Sequence, residues 1–298
     1  MPVSPPAAIA NPRLRLFAGA ALISFSPVFV NLVSVSPTTS GFYRVLIGGL
    51  ALLAFILLSG RRIHFSPAVW LAIAASAVFF ALDLWFWHRS ILYIGPGLST
   101  LLANLQVFFM MAAGVLFLHQ RPSRVQLIAV PLAILGLTLI VGPEWQSLKP
   151  GYRAGVILGV LTAVSYAGYM LCMRRARMAA VHPVPMREVA VMSLVVAVIL
   201  GISAFAEGQS LAVSRGQDML WLGAYGLLSH ALGMMFIASS LTKVSTTEVG
   251  IALLLQPSLS FLWDILFFGR TVTPLEAFGA AVTLAAIYLG SRGRSKQV

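Results

Sequence analysis

The chain alternates long apolar runs with short polar or basic interruptions. Runs near 16–34, 41–59, 68–90, 96–118 and 124–142 are divided by signals such as Val35-Ser36-Pro37, Arg61-Arg62 and Gln120-Arg121-Pro122-Ser123. A polar stretch from Gly142-Pro143-Glu144-Trp145 to Arg153 breaks the rhythm, and further runs follow near 154–173, 186–206, 218–241, 247–268 and 274–291. A helix advances about 1.5 Å per residue, so crossing the hydrocarbon core of a bilayer takes about 20 apolar residues. The pattern therefore predicts an all-α membrane protein of about ten transmembrane helices, with no room for a sizeable soluble domain.

Composition agrees. Hydrophobic residues make up 59% of the chain and charged ones only 9%, and the mean hydropathy is +0.93. Most of the surface must face lipid, so function has to sit inside the bundle. The formal charge of +12 is spread over small clusters between apolar runs. It forms no single face or stripe, which argues against a nucleic-acid partner and for membrane topology. With the N-terminus inside, Arg13, Arg15, Arg61, Arg62, Arg121, Arg124, Arg174, Arg175, Arg177, Arg187, Lys243, Arg292, Arg294 and Lys296 fall on the cytoplasmic side. That is 14 of the 20 Lys and Arg residues. Arg44, Arg89, Lys149, Arg153, Arg215 and Arg270 take the other side, so both termini are expected to be cytoplasmic in a bacterial inner membrane.

Cys172 is the only cysteine and the five histidines show no ligand spacing. No disulfide, metal or cofactor is expected. A G-x-x-x-x-G-K-[ST] loop is missing, so no nucleotide is expected either. The basic segment at 13–15 leads into a run without a clear cleavage site and is read as the start of the first helix. A monomer is expected, with the lipid bilayer and a small-molecule substrate as its partners.

The runs divide into an N-terminal unit at 1–142, an extracytoplasmic linker at 143–153 and a C-terminal unit at 154–298. An offset of 150 residues aligns Ser90 with Ser240, Leu105-Gln106 with Leu255-Gln256, Leu116-Phe117 with Leu266-Phe267 and Leu139 with Leu289. An offset of 141 aligns Ser24-Phe25 with Ser165-Tyr166. Because each unit holds an odd number of spans, related units must be oppositely oriented. Two inverted five-helix repeats are therefore expected, an arrangement that in secondary transporters sets the site near the midplane.

Several segments together carry a family resemblance over nearly the whole chain. Gly41-Phe42-Tyr43-Arg44 opens the second run, and Ser90-Ile91-Leu92-Tyr93-Ile94-Gly95-Pro96-Gly97 leads into the fourth. Thr246-Thr247-Glu248-Val249-Gly250 runs into Leu255-Gln256-Pro257, and Gly269-Arg270-Thr271-Val272-Thr273-Pro274-Leu275 follows. In these the chain resembles EamA-type members of the drug/metabolite transporter superfamily, including YddG-like amino acid exporters. It departs from them where Val107 replaces a proline and where Gln120 and Arg270 replace glutamates. The resemblance implies export of amino acids from the cytoplasm.

A charge deep in lipid costs about 2.5–3.5 kcal/mol on insertion scales, so an intramembrane acid is a candidate functional group. Asp83, past the middle of the third run, could bind a substrate ammonium or a coupling proton. The plain alternative is a hydrogen bond to a neighbouring helix. Asp264 sits near the outer end of the ninth run, within reach of interfacial water, and Glu248 complements a helix N-terminus. Polar groups expected at mid-depth are Ser24, Asn104, Gln106, Tyr166, His230 and Gln256. They could orient a polar substrate or simply join helices. Gln106 and Gln256 form a pair under the repeat symmetry. Phe25, Trp87, Tyr166, Tyr169 and Trp263 would give the cavity an aromatic lining suited to apolar or aromatic amino acids. Trp87 shares a helix face with Asp83, and an interfacial aromatic belt is its alternative reading. Arg44 is expected to make an ion pair or cap a carbonyl. No catalytic constellation is evident. An intramembrane enzyme built on Ser24 and His230, or a channel acting on a small molecule or lipid, is the competing class. The favoured reading is a secondary transporter working by alternating access.

Overall fold

The computed structural model describes residues 11–60, 63–145, 151–180, 185–240, 243–244 and 246–292. Both chain termini, Arg61-Arg62, Lys149 and the side chain of Glu248 lie outside the described residues. Helices carry the fold: α1 (Pro12–Ser24), α2 (Ser26–Leu32), α3 (Pro37–Leu58), α4 (Pro67–Ala103), α5 (Gln106–Leu118) and α6 (Arg124–Trp145) in the first half. The second half holds α7 (Tyr152–Ala179), α8 (Pro185–Ala206), α9 (Gly216–Ala224), a π-helical segment (Tyr225–Leu232), α10 (Gly233–Ser240), α11 (Thr246–Phe268) and α12 (Pro274–Arg292).

Local sequence explains where these helices start. Asn11-Pro12, Ser36-Pro37 and Ser66-Pro67 each set a capping side chain before a proline in the first turn, where the missing N–H is harmless. Two capping boxes recur at the 150-residue offset. The Ser123 amide donates to Gln126 Oε1 at 2.9 Å while the Gln126 amide donates to Ser123 Oγ. The Thr273 amide donates to Glu276 Oε2 at 2.9 Å while the Glu276 amide donates to Thr273 Oγ1. Each reciprocal pair satisfies two helix-end donors.

Among the described residues, eight helical runs are long and apolar enough to cross a membrane, and Ala252–Phe268 is a shorter apolar helix. One of the eight, Pro67–Phe117, is 51 residues long, more than twice what a crossing needs. It folds back at Gly95, whose φ of 82° and ψ of 166° are non-helical. Ser90 Oγ and Leu102 Cβ both lie within 3.2 Å of where a Cβ on Gly159 would sit. In a straight helix positions 90 and 102 would be about 18 Å apart.

The packing is symmetric under exchange of the halves. Helix α1 packs on α10 and α11, as α7 packs on both limbs of α4, while α3 pairs with α8 and α6 with α12. Close approach relies on small residues; Gly48 is pressed against Gly226 and His230. One apolar cluster joins α3, α4, α7 and α8 through residues such as Val45, Ile73, Phe80 and Met192. A second joins α4, α6, α7 and α12 through Leu101, Leu102, Ile140 and Ile287.

Candidate substrate site

Helical regularity fails at the middle of three runs, and a fourth holds an internal proline. The first is interrupted at Phe25, between α1 and α2, and the limb after Gly95 is interrupted at Asn104-Leu105. A wide π-helical turn starts at Tyr225, and Pro257 sits inside α11. A break or a proline frees backbone polar groups, which away from water must find partners in protein or in a cavity. Such breaks therefore mark where a polar ligand can be accommodated.

Beside the π-helical turn lies a buried polar cluster. Arg44 on α3 is 7% exposed and Asp83 on α4 is 5% exposed. Arg44 Nη1 donates to Tyr225 Oη at 3.0 Å. His88 Nδ1 stands 2.7 Å from the Leu84 carbonyl, which can only accept, so Nδ1 carries the proton. Its Nε2 then accepts from Tyr225 Oη at 3.3 Å. The chain Arg44, Tyr225, His88, Leu84 thus has a defined direction and fixes the guanidinium. Tyr225, Trp87 and Phe80 surround that guanidinium with ring centroids 5.1, 5.6 and 6.0 Å from Cζ. Asp83 interacts electrostatically with Arg44, yet among the described residues it makes no hydrogen bond or direct ion pair. Tyr169 stacks at a tilt on Phe80 at 4.8 Å and meets Tyr166 at 5.2 Å. Both tyrosines lie within electrostatic reach of Asp83.

A second group joins α1 to α11. The indole Nε1 of Trp263 donates to Ser24 Oγ at 2.9 Å, and Phe25 stacks on Trp263 at 4.6 Å. Phe25 also packs on the apolar cluster of Phe29, Trp87, Ile91 and Tyr225, which connects the two groups. Asp83, Trp87, Tyr166, Tyr169, Phe25, Ser24 and Trp263 are therefore brought together directly or through shared neighbours. His230 is fully buried, touches Phe80 at 6.3 Å, and pairs with Ser193, whose hydroxyl already donates to Val189 O. His230 Nε2 must then be the donor, and Nδ1 is left buried without a partner. With Ser24 committed to Trp263 and His230 to Ser193, the two do not form a dyad.

The other candidates are dispersed. Asn104 Nδ2 donates to the Thr100 carbonyl one turn back. Gln106 opens α5 with its Oε1 buried and unpartnered, and Gln256 is half-buried on α11. The two glutamines share no hydrogen bond among the described residues.

Two expectations change. Asp264 does not reach interfacial water: at 3% exposure it accepts from the Gly97 amide at 3.0 Å, capping the helix that restarts after Gly95. Arg270, 3.5 Å from Asp264, also donates to the Ile94 carbonyl and pairs with Glu276 at 3.4 Å. Trp87, placed by the sequence among the cavity-lining aromatics, is 7% exposed and packs in the interior, which goes against its alternative reading as an aromatic-belt residue. Among the described residues Arg44 makes neither an ion pair nor a carbonyl cap; its Nη1 donates to Tyr225 Oη instead. Sequence reasoning missed Tyr225 and His88 altogether. His88, five residues after Asp83, was the available signal.

Just past the end of α8, Glu207 ties the halves together. It accepts from Trp85 Nε1 at 2.6 Å, Arg89 Nη2 at 2.7 Å, and Thr38 and Ser203 hydroxyls at 2.9 Å. Partial burial would raise its pKa, but these hydrogen bonds and the Arg89 charge hold it below the usual value of 4.5.

Eight long apolar helical runs among the described residues define a multi-pass integral membrane protein, with charges buried inside it. The EamA-like transporter family model matches residues 14–142 and again 153–292. An uncharacterized transporter of Archaeoglobus fulgidus is 25% identical over 274 residues, 92% of this chain and 93% of that protein. The threonine/homoserine exporter RhtA of Escherichia coli K12 is 30% identical over 176 residues, 58% of this chain and 56% of that one. A probable amino-acid metabolite efflux pump of Salmonella typhimurium is 25% identical, over 66% and 68% of the two chains. A solved crystal structure superposes with a TM-score of 0.67 at 17% identity, covering 94% of this chain and 98% of that one, which shows a shared fold. The chain belongs to the EamA-like transporter family.

Proposed function

We propose that this protein is a secondary transporter exporting small organic metabolites, foremost amino acids with apolar or aromatic side chains, by alternating access at a mid-depth cavity. The observation that carries the reading is the buried Arg44 and Asp83 of the first half lying beside the π-helical segment of the second, whose Tyr225 holds Arg44. Charges at such depth are costly and need a compensating role. Export and the amino acid class draw support from the names of the relatives in Escherichia coli and Salmonella typhimurium. The rings of Phe80, Trp87, Tyr166 and Tyr169 suit an apolar side chain.

In this reading the two units at 1–142 and 154–298, joined by the linker at 143–153, are inverted repeats. The 51-residue run crosses twice, giving ten spans with both termini cytoplasmic. The halves rock about the cavity, opening it to one side at a time. Purified protein in liposomes loaded with an amino acid should show saturable, substrate-specific counterflow. Flux that does not saturate would indicate a channel, and covalent turnover of a solute or lipid would indicate an enzyme; either overturns the reading.

A further inference from the structure

Arg44 and Asp83 are opposite charges buried on adjacent helices, and neither satisfies the other. A guanidinium has five N–H donors. Among the described residues only Nη1 is engaged, by Tyr225, and Nε is buried with no partner. The unused Nε–Nη2 edge is a side on which a carboxylate can accept two parallel hydrogen bonds. Tyr225 itself is held by His88, so the edge is presented by a fixed side chain. Asp83 keeps the acceptor capacity of its carboxylate unused by any donor among the described residues. The rings of Phe80, Trp87 and Tyr225 stand about the guanidinium of Arg44, which is 7% exposed. A direct pair between the two would be complete in itself. Two separated poles, each with free hydrogen-bonding capacity, are complementary to a small molecule carrying both charges.

We propose that Arg44 and Asp83 grip the α-carboxylate and the α-ammonium of one amino acid, so that recognition is of the zwitterionic head, with the side chain toward Phe80, Tyr166 and Tyr169. This rests on the amino acid export proposed above.

The test is competition against phenylalanine counterflow in proteoliposomes by phenylalaninamide, which lacks the carboxylate, and by phenyllactate, which lacks the ammonium. The wild-type protein should need roughly tenfold or more of either analogue than of phenylalanine, as expected when a charged hydrogen-bond partner is lost. Arg44→Gln should lose discrimination against the amide alone, Asp83→Asn should lose discrimination against phenyllactate alone, and Arg44→Lys should keep part of the carboxylate dependence. Counterflow in which both analogues compete as well as phenylalanine overturns the proposal without any variant having to fold. So does intact discrimination in Arg44→Gln and Asp83→Asn. Absence of counterflow with every amino acid tried would instead overturn the export reading, and the pole assignment with it.

Discussion

Four donors from three parts of the chain converge on Glu207, and they decide how that carboxylate responds to acid. Its pKa is held below 4.5, so the folded state favours the ionised form more than the unfolded chain does. That contribution is fully present above the unfolded pKa and is lost as pH falls through the lowered folded value. The thermal unfolding temperature of wild-type protein in detergent should therefore fall as pH drops below about 4.5. Glu207→Gln should start less stable at neutral pH and show a flatter acid limb; an unchanged acid limb would count against this assignment. In the interior, Tyr225→Phe keeps the ring beside Phe29 and Trp87 but removes the oxygen that joins Arg44 to His88. Hydrogen bonds to charged groups contribute about 1.5–3 kcal/mol, and a loss of that order in unfolding free energy should accompany reduced counterflow. Residue types such as Asp83 and Trp87 were legible because depth along a run and helical spacing are sequence properties. Tyr225 and His88 were not, because a hydrogen-bond chain across α3, α4 and the π-helical segment depends on which helices are neighbours. Asp264 misled for the same reason: its place near a helix end suggested water, whereas the other chain segment at that end supplies a capped amide.

At the scale of elements, apolar run length gave helix positions to within a few residues, since that signal is local and repeated. The interruptions were less visible. Gly95-Pro96 marks the fold-back of α4, and Ser26-Pro27 follows the break at Phe25, but nothing in 225–232 announces a π-helical turn and no glycine or proline stands at Asn104-Leu105. Such irregularities are set by packing across helices, as where Gly226 meets Ile47 and Gly48. Gly95 has the clearest consequence. Its positive φ with extended ψ is a region that costs other residues about 1–3 kcal/mol. A Cβ there would also lie 2.9 Å from Asp264 Oδ2. Gly95→Ala should lower the unfolding temperature sharply and reduce the yield of folded protein. Asp264→Asn, which keeps an oxygen for the Gly97 amide but removes the charge paired with Arg270, should lower that temperature less than Gly95→Ala does. Equal stability of Gly95→Ala and wild type would mean that the fold-back does not depend on this glycine.

For the whole molecule, everything about access turns on whether the 51-residue run crosses the membrane once or twice. One crossing would put its two flanks on opposite sides and the halves in unrelated orientations. Two crossings put the flanks on one side and give each half an odd number of spans, which is the condition for inversion. His64 and His119 are exposed on either flank of that run, whereas Gln209 and Thr271 are exposed in the connections at the opposite ends of the helices. With Cys172 replaced, single cysteines at these positions can be probed in intact cells with a membrane-impermeant maleimide. Cysteines replacing Gln209 and Thr271 should react from outside, and those replacing His64 and His119 only after permeabilisation. The basic clusters at Arg121, Arg124, Arg174 and Arg175 share the side assigned to His64 and His119, so the labelling and the positive-inside rule must agree. Labelling of His64→Cys and His119→Cys from opposite sides would leave the run a single crossing. The two capping boxes at Ser123 and Thr273 would then reflect sequence duplication without the inversion that alternating access requires.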